Sequence, residues 1–80
     1  MTLRKKTLRA LVTFYSTTDA MAVEALCTER GVPGRIIPVP SVITADCGLC
    51  WSAPEDAKET VVSAAEAAGV QPAGIYEMML

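Results

Sequence analysis

The stretch from Leu8 to Tyr15 constrains the fold of this chain most. Leu11, Val12, Thr13, Phe14 and Tyr15 are mostly β-forming residues in an almost continuous apolar run. Such a run suits a central strand. Ser16-Thr17-Thr18-Asp19 follows at once and offers several N-caps and an acidic first turn, so a helix is expected to start there. Ala20, Val23, Cys27 and Arg30 fall on one stripe of that helix with Leu26 beside it, and Glu24 and Glu29 lie off its centre. Gly31 is the expected C-cap, and Pro33 blocks continuation.

Pro33-Gly34 reads as a turn, and residues 35–40 as a short strand whose prolines place it at a sheet edge. Residues 41–46 are expected to loop. A third strand runs from Gly48 to Ser52, with Leu49 and Trp51 facing one way and Cys50 the other. Ser52-Ala53-Pro54-Glu55 fits a capping box, with Ser52 as N-cap and Glu55 at N3. Ala57, Val61, Ala64, Ala65 and Ala68 then form an apolar helical stripe closed by Gly69. Beyond Pro72, residues 74–80 read as the last strand. The order is β-α-β-β-α-β. Its simplest compact solution is a ferredoxin-like two-layer α/β sandwich: a four-stranded antiparallel sheet with two helices on one face.

At 80 residues the chain is expected to form one domain, with residues 1–7 as a basic leader. Arg4, Lys5, Lys6 and Arg9 read as solvated charge ahead of the first strand. The net charge of −2 argues against a nucleic-acid partner. The apolar run after the basic start is shorter than a secretory core, and no stretch approaches a membrane span. Three cysteines do not suit a secreted disulfide framework, so a soluble cytoplasmic protein with reduced thiols is expected.

The chemistry concentrates in Cys47-Gly48-Leu49-Cys50-Trp51. There is no histidine, so sulfur is the reactive atom on offer. The expected topology sets the loop carrying Cys47 beside the N-terminus of the first helix, where backbone N–H groups and the dipole favour a thiolate. Gly48 frees its N–H to approach an anion, and the hydroxyls of Thr17 and Thr18 can cap the helix and also contact that anion. Asp19 and Asp46 oppose ionisation. Cys47 and Cys50 match C-x-x-C, but an extended strand would point them to opposite faces, so a disulfide between them needs a turn. Zinc would need ligands from a second chain, and no metal or other cofactor is expected. On packing grounds Cys27 reads as core, and Cys50 is as readily a small buried hydrophobe as a reactive thiol. Arg35 opens the edge strand, at the end of the sheet away from Cys47.

Residues 14–21 (Phe14-Tyr15-Ser16-Thr17-Thr18-Asp19-Ala20-Met21), residues 31–40 (Gly31 to Pro40) and residues 45–49 (Ala45-Asp46-Cys47-Gly48-Leu49) together resemble a selenium/sulfur-carrier-like family of small bacterial domains. The family was earlier known as a domain of unknown function. The resemblance runs from about Leu8 to the last strand. It implies that Cys47 holds sulfur or selenium as a persulfide or selenosulfide. It also implies protein donors and acceptors, and a covalent carrier rather than a turnover enzyme. Cys50 could then release the cargo by attacking the loaded sulfur. The remaining alternatives are a non-catalytic ferredoxin-like interaction module, dimeric through an exposed edge strand, and a Cys47–Cys50 dithiol redox protein.

Overall fold

The computed structural model describes residues 7–43 and 48–80. Four strands and two helices follow in the expected order: β1 (Leu8–Thr13), α1 (Thr17–Arg30), β2 (Arg35–Pro38), β3 (Leu49–Pro54), α2 (Lys58–Ala67) and β4 (Gly74–Met79). The sheet order is β2-β3-β1-β4, and every neighbouring pair is antiparallel. Each β-α-β unit therefore skips one strand: β1 and β2 flank β3, while β3 and β4 flank β1. Both helices pack with the sheet in one core, which puts them on the same face.

That core draws on every layer. Val12 and Phe14 come from β1 and its exit, Trp51 and Ala53 from β3, Ala20, Val23 and Cys27 from α1, and Val61, Ala64 and Ala65 from α2. Arg30, by contrast, is exposed at the end of α1. Both helices end in the same way. Gly31 (φ 69°) and Gly69 (φ 74°) take the left-handed conformation that side chains resist. Val32 N–H then donates to the Cys27 carbonyl at 2.8 Å, and Val70 N–H to the Ala65 carbonyl at 2.9 Å. Both valines drop into the core behind their glycines.

Several boundaries differ from the sequence reading; β2 stops at Pro38 and not at Pro40, and β3 starts at Leu49 and not at Gly48. β1 ends at Thr13; Phe14 continues into the core while Tyr15 turns outward. β3 extends to Pro54, so Ser52 is a buried strand residue and not a helix cap. The strand holds because Ala53 pairs with Ala10, both fully buried, and because Arg9 Nε donates to Ser52 Oγ at 3.2 Å. α2 is entered instead through a 3₁₀ turn at Glu55–Ala57, and no side chain caps it. Arg9, read as solvated charge, is half-buried in β1, and its guanidinium also donates to the Ser52 carbonyl at 3.2 Å. Thr7, assigned to the leader, extends the β1–β4 ladder by exchanging both backbone bonds with Leu80. Residues 1–6, the rest of the leader, lie outside the described residues. No helix among the described residues is long and apolar enough to cross a membrane.

Candidate functional site

The register assembles one end of the sheet from three elements. Thr13, the last residue of β1, pairs with Cys50 of β3 and with Gly74 of β4. Pro38, the last residue of β2, pairs with Leu49. The start of β3, the end of β2 and the start of α1 therefore share this end. Arg35, paired with Ser52, belongs to the opposite end, as strand direction requires.

At the start of α1, Ser16 is the N-cap in extended conformation, and its Oγ accepts from Asp19 N–H at 3.1 Å. The capping role therefore falls to Ser16 and not to Thr17 or Thr18. These two occupy the first turn, exposed, where helix geometry leaves their N–H groups without intrahelical acceptors. Asp19 supplies negative charge to the positive helix end, which stabilises α1 and counts against a thiolate nearby.

At the start of β3, Gly48 is exposed with φ 74°, and a Cβ there would meet nothing within 4 Å. Its carbonyl accepts from Val39 N–H at 2.9 Å, which ties the loop exit to the end of β2. Gly48 is thus not extended. The strand alternation that would hold positions 47 and 50 on opposite faces is interrupted at this residue. Cys47 itself, with Thr44, Ala45 and Asp46, lies outside the described residues.

Strand alternation holds from Leu49 onward. Trp51 is in the core with Leu49 packed against it, and Cys50 faces the helix-free side of the sheet. Cys50 is fully buried there, flanked by its cross-strand neighbours Thr13 and Ile37. Thr13 Oγ1 donates to the Gly74 carbonyl at 3.2 Å, and the Tyr76 ring lies over Gly74, filling the space a side chain would take. Periodicity alone gave no sign of this polar and aromatic layer of Arg9, Thr13, Ser52 and Tyr76. The alternation of Arg9, Leu11 and Thr13 along β1 is the signal that could have revealed it. Cys27 is fully buried in the helix-side core. Burial pushes its thiol pKa up, while the nearby Arg30 charge pulls weakly the other way. Among the described residues no group of three or more His, Cys, Asp or Glu side chains is placed to share a metal ion.

These features define a small α+β sandwich whose loop-bearing sheet end combines a capped helix start with a glycine-flanked strand entry. The chain belongs to the family described as "Putative Se/S carrier protein-like", whose model matches residues 9–77. Neither a curated protein nor a solved structure gives a significant match.

Proposed function

We propose that this chain is a soluble, cytoplasmic sulfur or selenium carrier that holds its cargo on Cys47. The single observation that carries the reading is family membership across 69 residues, from 9 to 77, a span that includes Cys47-Gly48. The local geometry supports it. Gly48, directly after the thiol, has a backbone conformation and open surroundings that leave room for an approaching donor. The shared sheet end brings the N–H groups and hydroxyls of Thr17 and Thr18 to the same side as Gly48.

In this reading the Cys47 thiolate attacks the outer sulfur of a donor protein's persulfide. A new S–S bond forms on Cys47, the donor's S–S bond breaks, and the donor leaves as a thiolate. No net oxidation occurs. The terminal sulfur anion is then held by the Gly48 N–H and the first turn of α1. An acceptor protein takes the outer sulfur by the same displacement. Alternatively, the Cys50 thiol attacks Cys47 Sγ, which forms a disulfide and expels hydrosulfide, or hydroselenide from a selenosulfide. An external thiol must then reduce that disulfide before the next cycle. The complete burial of Cys50 favours a single-thiol carrier over a dithiol redox protein, because an attacking thiolate needs access.

The test is intact-protein mass spectrometry after incubation with glutathione persulfide. The chain should gain the mass of one sulfur atom, Cys47→Ser should lose that gain, and Cys50→Ser should keep it. An unmodified chain, or a label that persists in Cys47→Ser, overturns the reading. The interaction-module alternative is favoured by one observation, the apolar outer edge of β4, which is developed next.

A further inference from the structure

The two edges of the sheet are built differently. Val39 N–H donates to the Gly48 carbonyl, so positions 39, 37 and 35 bond inward to β3, while 36 and 38 point outward. Pro38 thus occupies an outward position, where it costs no ladder bond and removes a donor from that edge, while Ile36 keeps an outward N–H. On the far side, Thr7 and Leu80 exchange both backbone bonds, so positions 80, 78, 76 and 74 bond inward to β1. Ile75, Glu77 and Met79 therefore turn their N–H and C=O groups outward. Among the described residues β4 pairs with β1 alone, and its sequence holds no proline and no lysine.

Large apolar side chains gather at the same place. Ile75, Tyr76, Met79 and Leu80 are exposed, as is Leu8, the cross-strand partner of Met79. A groove lined by Lys58, Glu59, Val62, Ser63 and Ile75 runs beside them between α2 and β4. An exposed edge with this much apolar surface is the mark of a docking strand.

We infer that the occupant is a second copy of this chain, paired antiparallel through β4 about a two-fold axis at Glu77. Three observations select this occupant and register. First, pairing Glu77 with its copy sets Ile75 opposite Met79, so every outward backbone group of the strand meets a partner at once. Shifting the register by two residues leaves some of them unmatched. Second, the same register sets Tyr76 against Met78 on the helix-free face, so apolar meets apolar on both faces. Third, the one charge on the strand is already neutralised: Lys58 Nζ lies 3.5 Å from Glu77 Oε1. Two Glu77 carboxylates can thus meet at the axis because each brings its own lysine. A stable dimer needs roughly 800 Å² from each copy. The exposed apolar side chains of the edge strand, Leu8 and Leu80 would contribute to that contact.

Sedimentation of the full chain over a concentration series into the millimolar range should show a monomer–dimer equilibrium. Glu77→Pro removes an outward N–H and no β1–β4 bond, and Ile75→Lys places a charge on the edge. Each should raise the dimer Kd at least tenfold, with a native circular dichroism spectrum showing that the fold is intact. Ile36→Pro, at an outward position of β2, should leave the dimer unchanged. Lys58→Ala should weaken it, and Glu77→Gln added to Lys58→Ala should restore it. A wild-type chain that stays monomeric throughout overturns the inference and leaves the edge to a strand of another protein. A dimer that is insensitive to both edge variants also overturns it. Cys47→Ser should dimerise like the wild type, which keeps this outcome separate from that of the carrier reading.

Discussion

Gly34 shows how much a single missing side chain can decide. In the sequence it reads as half of a Pro-Gly turn. In the fold it is the floor beneath the only tryptophan: a Cβ at Gly34 would lie 2.6 Å from Trp51 Nε1 and would overlap the Ser52 carbonyl. Its φ of 126° is itself closed to ordinary side chains. The indole is held in place by its N–H, which donates to the Pro33 carbonyl at 3.3 Å. Gly31→Ala meets only the left-handed φ, since nothing lies within 4 Å of its would-be Cβ. We expect Gly31→Ala to cost about 1 kcal/mol and Gly34→Ala about 3 kcal/mol, because strain and overlap act together. Urea unfolding followed by Trp51 fluorescence measures both; equal costs would refute the packing argument. Sequence could supply the turn at Gly34 but not the indole above it, because that contact is made only once β2 pairs with β3.

At the scale of elements, the helices, the start of α1 and both C-terminal ends were legible because their determinants are local. Ser16 with Asp19 begins α1, and a glycine followed by a buried valine ends each helix. Replacing Ser16 by Ala should lower stability by about 1 kcal/mol by leaving the Asp19 N–H without its acceptor. A shift of the urea midpoint with an unchanged slope would check this. The entry to α2 was misread for the converse reason. Ser52 and Glu55 have the spacing of a cap, but Ser52 is claimed by Arg9, 43 residues away in sequence, and Ala53 by Ala10. A local pattern gave way to two non-local contacts. At the site, alternation correctly sent Cys50 away from Trp51, and strand direction correctly brought Gly48 and α1 to one end. Burial of Cys50 was one of two readings open in the sequence, and its cross-strand neighbours Thr13 and Ile37 decide it.

For the molecule as a whole, one core serves both helices and the sheet, so a titration within it is felt globally. Cys27 sits in that core with its pKa raised by burial. The unfolded thiol ionises near its ordinary value of about 8.5, and the folded one only above that. The contribution of Cys27 is therefore complete below that value and is lost as pH rises through the unfolded and then the folded pKa, where the unfolded chain binds fewer protons. The stability difference between wild type and Cys27→Ala should shrink as pH rises above the ordinary thiol value of about 8.5, as measured by urea unfolding at each pH. A difference independent of pH would contradict this. The prolines of β2 also bear on numbers of molecules. A sheet with two adhesive edges can add copies without end, as fibres do. Here Pro38, with Pro40 just beyond the strand, leaves the β2 margin less adhesive than the β4 margin among the described residues. If β4 pairs as inferred, that edge is used up in each copy, and assembly would stop at two.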